Sequence, residues 1–301
     1  MTQQILSDEK EGRTRLKYKE LIHSSKKRKT TFIGLGLILI LLILWAGNIG
    51  YYNSMQLEKP VFPTHYLTTT IFKGTNWMEI DYLENKGPGK KVQSIFIEEF
   101  NKESYAKNER ASYKYQLAYQ MHFEFTEKDL EYLPDQNNEL IVNTITVNYD
   151  DGTSEQVPIG ELIFRADPEK SQGLAMIHGG SSSDGSGYEV FEMNSDAVLE
   201  KIELSHTDKL KDLFQLRVYG KPYDQVTYPK QIKKGDRIRF QYASIEPRLA
   251  QDGFISYSVG ILVHFRLPDG TKIVYDLLTS NHFYYSSDEI KTILRDGGAV
   301  K

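Results

Sequence analysis

Tyr113–Phe125 reads YKYQLAYQMHFEF, and its alternation decides the fold. The odd positions are Tyr113, Tyr115, Leu117, Tyr119, Met121, Phe123 and Phe125, while Lys114, Gln116, Ala118, Gln120, His122 and Glu124 hold the even ones. A period of two marks an extended strand, because successive side chains leave on opposite faces. The pattern predicts an antiparallel sheet with its odd face on a core and its even face in water.

The same chemistry continues downstream. Thr126 is placed to cap a single helical turn ending at Leu133, before Pro134. Leu140–Tyr149 and Val157–Phe164 read as strands joined by the turn Asp150-Asp151-Gly152-Thr153. A second block follows, with strands expected at Val198–Leu204, Phe214–Tyr219, Arg237–Tyr242, Ser256–Leu267 and Lys272–Leu278. Pro268-Asp269-Gly270-Thr271 joins the last two. Ser286 and Glu289 form a capping box for a short helix that Gly297 can close. The expected fold is therefore mainly β: one or two antiparallel, sandwich-like domains, over residues 66–166 and 188–301. A strand followed later by an Asp-Gly-Thr hairpin occurs in both blocks, from Ile95 to Gly152 and from Ile202 to Gly270. A tandem repeat fits this order, as do two unlike β-domains or one large β-fold.

Upstream, the chain changes character. Thr30–Leu57 carries no charge, and Phe32–Trp45 is almost purely Leu, Ile and Gly. Residues 30–52 are expected to form a single transmembrane helix, since about 20 apolar residues cross the hydrocarbon. Lys26, Lys27, Arg28 and Lys29 stand immediately before it. Residues 1–29 hold nine basic against four acidic residues, a net of +5, so the remainder carries −9 of the chain's total of −4. Basic flanks stay on the cytoplasmic side, which places the tail 1–29 inside and everything after Tyr52 outside. Trp45, Tyr51 and Tyr52 then fall at the outer interface. A cleaved signal peptide is the competing reading, but Leu44-Trp45-Ala46 puts a bulky residue where cleavage needs a small one. Residues 53–65, with Pro60 and Pro63, read as a semi-extended stalk.

Composition narrows the function. The chain has no cysteine, hence no disulfide, thiolate metal site or cysteine nucleophile. A −9 exported region lacks the basic footprint that nucleic acid requires. Residues 167–187 read as a Gly/Ser linker. Its stretch His178–Gly187 resembles a phosphate cradle, but lacks the Lys-Ser/Thr pair, and resembles a calcium loop whose twelfth position is Met193 instead of Glu.

No motif for catalysis stands out. The seven histidines, His23, His65, His122, His178, His206, His264 and His282, show no metal spacing and read as ordinary surface residues. His122 and His264 in particular occupy the polar phase of their strands. The acidic pairs Glu98-Glu99, Asp150-Asp151 and Asp288-Glu289 are explained by turns, capping and opposite strand faces. Most tyrosines read as core, and Trp77 is the only tryptophan after the span. The expectation is an envelope-associated binding or assembly protein, with no catalytic, cofactor-binding or metal residue and no cofactor. Its partners would be the bilayer, through residues 30–52, and an envelope protein or polymer. A membrane-spanning sensor is the alternative, and an envelope hydrolase a third reading.

Overall fold

The computed structural model describes residues 35–134, 139–166, 174–182, 185–244, 249–250, 253–281 and 286–295. The chain divides into two units, Met1–Met55 and Gln56–Lys301. In the first, α1 (Leu35–Ser54) is a 20-residue helix long and apolar enough to cross a membrane. Its large apolar side chains, Leu35 to Trp45, are exposed. The helix runs two residues past the expected end at Tyr52, and the expected first turn, 30–34, lies outside the described residues.

The second unit is almost entirely β. Its strands begin with β1 (Thr64–Ile71), β2 (Thr75–Asn85), β3 (Val92–Ile97), β4 (Lys102–Ser104), β5 (Lys107–Ser112) and β6 (Gln116–Thr126). They continue with β7 (Glu139–Tyr149), β8 (Ser154–Ala166), β9 (Leu174–Ser181), β10 (Gly187–Met193), β11 (Ala197–Leu204) and β12 (Phe214–Val218). The last are β13 (Lys221–Pro222), β14 (Lys230–Ile232), β15 (Arg237–Ser244), β16 (Leu249–Ala250), β17 (Gly253–Arg266) and β18 (Lys272–Asn281). Two helices, α2 (Thr207–Leu210) and α3 (Ser287–Arg295), complete it. Ser286 and Glu289 make the expected capping box at α3, while Gly297 lies outside the described residues. Thr126 likewise caps Glu127–Tyr132 with Asp129, a 3₁₀ turn that ends as expected at Leu133.

Three sheets form among the described residues. The large sheet has ten strands along the order β14-β11-β17-β1-β8-β7-β3-β4, with β16 and β18 also paired to β17. A five-stranded sheet runs β13-β12-β15-β10-β9, and a three-stranded one runs β2-β6-β5. The large sheet thus draws strands from both expected blocks. Pairing is antiparallel, as the alternation predicts, except at β1, which lies parallel to both its neighbours, β8 and β17. Within the segment read as a linker, Leu174–Ser181 forms edge strand β9, paired with β10.

Two apolar cores fill the unit. Buried side chains between Phe62 and Phe164 form one, and those between Phe191 and Leu277 form the other. Phe100, Phe125 and Phe164 meet in the first, with centroids 4.5 to 5.2 Å apart. A smaller cluster joins Leu57, Val61, Leu83 and Ala118 to Ile290 and Ile293 of α3. The stalk expectation is corrected accordingly. Leu57, Val61 and Phe62 are buried, Val61 bridges to Leu83, and Asn85 bonds both backbone groups of Leu57. The extended backbone favoured by Pro60 and Pro63 serves as a docked edge segment.

The decisive strand needs a second correction. It begins at Gln116, since Tyr113 closes a turn by bonding the Gln116 carbonyl. Its odd face packs on the core at Met121, Phe123 and Phe125, as predicted. Its even face meets water only toward the end, at Glu124, because Gln116, Ala118 and Gln120 are buried and His122 is half-buried. Other elements cover that face, and alternation alone cannot report what arrives from distant sequence.

The seating of β1 depends on glycine. Gly160 faces His65 in the β8–β1 register, at φ +98°, and a Cβ there would stand 2.3 Å from the His65 carbonyl oxygen. Backbone cannot yield as a side chain can. Gly160→Ala should therefore destabilise the protein by about 3 kcal/mol in chemical unfolding, whereas Gly152→Ala, at φ +79° in open space, should cost only about 1 kcal/mol.

Candidate functional site

A cleft of about 290 Å³ opens between β2 and the strands β1, β17 and β18. Its first wall follows from period two along β2. Trp77, Glu79 and Asp81 face the cleft, while the alternate positions Met78, Ile80 and Tyr82 are buried in the first core, with Met78 also touching the cleft. On the neighbouring strand, Gln120 lies directly across from Asp81 and His122 across from Glu79. The buried even face of β6 is thus continuous with the cleft wall.

The opposite wall is built from hydroxyls. Thr68 and Thr69 of β1, Ser256 and Ser258 of β17 and Thr279 of β18 line it. Ser258 Oγ accepts from the Thr68 N–H at 2.9 Å and donates to the Thr68 carbonyl at 3.2 Å, so a side chain extends the parallel pairing. Ser256 Oγ donates to Asp81 Oδ2 at 2.8 Å, tying the two walls together. Asn76 donates to Thr69 Oγ1 and to the Thr70 carbonyl, fixing the entry of β2 over β1.

Electrostatically the cleft is acidic: among the described residues it is lined by two carboxylates, Glu79 and Asp81, and by no Lys or Arg. His122 Nδ1 lies 3.2 Å from Glu79 and its Nε2 lies 2.8 Å from Asn108. Trp77 presents 53% of its surface at the rim. Gln120 is only 3% exposed, and its side chain has no hydrogen-bond partner among the described residues. Its amide is therefore open to the cleft, where water or a ligand can pair it. No cluster of His, Asp or Glu suited to a metal occurs among the described residues.

The histidines depart from the surface expectation. His65 is fully buried, and its Nε2 accepts the Asp81 N–H at 3.0 Å. His206 is buried beneath the cleft floor: Thr68 Oγ1 lies 3.2 Å from its Nε2, and Glu161 Oε2 lies 3.2 Å from its Nδ1. Ser205 Oγ adds a contact at 2.8 Å to Thr68 Oγ1 and accepts the Gly260 N–H at 2.8 Å. Hydroxyl, imidazole and carboxylate stand in the order used by nucleophilic enzymes. Here Thr68 and Ser205 are 5% and 4% exposed, and the set fastens β1 to β17 and to the end of β11. Burial lowers the His206 pKa, with Glu161 opposing it. His264 pairs with Glu203 at 2.6 Å on a partly covered face, and His178 is exposed, edge-on to Tyr188. His23 and His282 lie outside the described residues. The acidic pairs sit where turns and helix starts explain them: Glu98 and Glu99 open a 3₁₀ turn, and Asp151 bonds Thr153.

No protein-family profile matches the chain, and no curated protein matches it. Among solved structures it is similar to a protein of unknown function from Porphyromonas gingivalis W83, at 8% identity and TM-score 0.22, over 74% of this chain and 97% of that one. It is similar to the fibronectin(III)-like modules of Clostridium thermocellum CbhA at 7% identity and TM-score 0.16, over 77% and 98% of the two chains. It is also similar to the Enterococcus faecalis MSCRAMM ACE, at 9% identity and TM-score 0.20, over 76% and 96%. Scores this low carry no inference about topology, ligand or ancestry.

Sequence reasoning named no residue of this cleft as a site. Trp77 carried a signal as the one tryptophan after the span, and Gln120 carried one as a polar residue in a strongly alternating strand. Neither signal says that the two converge.

A pH dependence follows from His65. Burial lowers its pKa from the ordinary 6.5 to about 4, so the folded state holds it neutral where the unfolded chain would protonate it. Its contribution is fully present above pH 6.5 and is lost as pH falls toward 4, by about 3 kcal/mol in all. Chemical unfolding of the detergent-solubilised chain should show this loss across that window, and His65→Gln should reduce its slope.

Proposed function

We propose that this chain is a single-pass membrane protein with its N-terminus in the cytoplasm and its β-rich region outside, acting on a partner in the cell envelope by binding and without catalysis. The observation that carries the reading is α1, an uncharged 20-residue helix with exposed apolar side chains, directly after a segment containing Lys26–Lys29. Burying such side chains in lipid is favourable, while leaving them in water is costly at about 25 cal/mol per Å². The basic cluster supports the orientation through the cytoplasmic retention of Lys and Arg.

The β-region supports the binding half. Without cysteine it relies on packed cores and satisfied hydrogen bonds, which need no oxidising compartment and tolerate one. The hydroxyl–imidazole–carboxylate set is buried and employed in strand attachment, which leaves the cleft as a place to hold a ligand. An alkaline phosphatase fused after Lys301 should be active, and a cytoplasm-only fluorescent reporter at the same point should stay dark. The reverse pattern would sink the topology. Replacing Lys26, Lys27, Arg28 and Lys29 with uncharged residues should lower the active fraction, measured by protease accessibility of the β-region.

A further inference from the structure

The Gln120 amide decides what chemistry the cleft can hold. It offers two donors and an acceptor, is 3% exposed, lines the cleft and has no protein partner among the described residues. A ligand that completes it must itself both donate and accept. Beside it, Asp81 and Glu79 bring carboxylate acceptors to the cleft, and a carboxylate takes up to about four hydrogen bonds. At the rim, the half-exposed Trp77 indole offers a flat apolar face.

Each ligand class can be weighed against this set. An anion would meet two carboxylates and no lining cation, so it is repelled. A lysine or arginine side chain would suit the carboxylates and the indole, but it only donates and would offer the two Gln120 N–H groups no acceptor. A purely apolar group would desolvate the Asp81 and Glu79 carboxylates and the Gln120 amide without offering them hydrogen bonds. A sugar hydroxyl both donates and accepts, and the C–H face of a pyranose is apolar. The volume of about 290 Å³ lies at the lower end for small-ligand pockets, about 300 Å³, which suits one ring and not a long chain held end to end.

From the convergence of Trp77, Gln120, Asp81 and Glu79 on one cleft, we infer that it binds the terminal uncharged hexose ring of a saccharide. The ring stacks on Trp77, its hydroxyls donate to Asp81 and Glu79, and one hydroxyl exchanges hydrogen bonds with Gln120. Asp81 is held in place for this by Ser256 through its side chain and by His65 through its backbone. This deepens the binding reading above by naming the ligand chemistry.

The test uses the full chain in nanodiscs free of glycolipid, in a Trp45→Phe background so that Trp77 alone reports fluorescence. The probes are maltotriose, lactose and the N-acetylglucosamine trimer as neutral saccharides, with sialyllactose and trilysine as anionic and cationic controls. At least one neutral saccharide should give saturable quenching and saturation-transfer signals from its terminal ring. Gln120→Leu should weaken that binding roughly tenfold, and Trp77→Ala, at an exposed position that leaves the unfolding midpoint unchanged, should abolish the saturation-transfer signal. Saturation by trilysine or sialyllactose alone, saturation by no probe, or saccharide binding that survives Trp77→Ala would each overturn the inference. The assay is indifferent to membrane orientation. Its failure therefore leaves the topology standing, and a reporter found in the cytoplasm leaves the cleft chemistry standing.

Discussion

The structure depends on one strand, β17, having two partners along a single edge. One edge of β17 pairs with β18 from Tyr257 to Arg266. The other meets β1 at Ile255–Tyr257 and β11 from Ile261 onward. The handover falls at Gly260, whose N–H bonds Ser205 Oγ and whose carbonyl accepts the Ser205 N–H. A Cβ at this point would stand 2.9 Å from Thr68 Cγ2 and 3.1 Å from an Arg165 nitrogen, so three elements can approach only because the side chain is missing. In the strand order, β1 is the link between β17 and β8, and thus between the halves of the large sheet.

Parallel pairing gives slightly less stabilisation per residue than antiparallel, and β1 is parallel on both sides. Hydroxyls make up for this at the seam. Thr68, Ser205 and Ser258 supply bonds between strands where regular backbone pairing has stopped or shifted. His206, at φ +54°, turns the chain out of β11 while its ring reaches Thr68 and Glu161. Left unpaired, each of these buried groups would cost about 1–3 kcal/mol. Paired, they specify one register, which an apolar seam of the same size would not.

The cleft is a by-product of the same seam. Because β1 lies flanked on both sides within the large sheet, the three-stranded sheet can place the edge of β2 over it, and Asn76 and Asp81 anchor that placement. The polar phase of β2 and β6 is therefore divided along its length. Ala118 is covered by α3 and the segment from Leu57, whereas Asp81 and Gln120 face the cleft. A single alternating strand thus contributes to a core on one face and, on the other, to a packing surface and a binding wall.

The sequence alone determined the features set by local chemistry. Alternation in Tyr113–Phe125 gave β-structure and the core face, Asp-Gly turns gave the β7–β8 and β17–β18 hairpins, and Ser286 with Glu289 gave the start of α3. The charge-free run gave a helix of membrane-spanning length. Each of these rests on interactions within a few residues or on a repeating pattern. Tertiary structure alone decided that β1 runs parallel between β8 and β17, that Gly160 and Gly260 are required there, and that His65 and His206 are buried. It also brought Trp77, Gln120 and Ser256 to one cleft. These contacts join residues tens to nearly two hundred positions apart, and period-two patterning tells which face a side chain takes but not what covers that face.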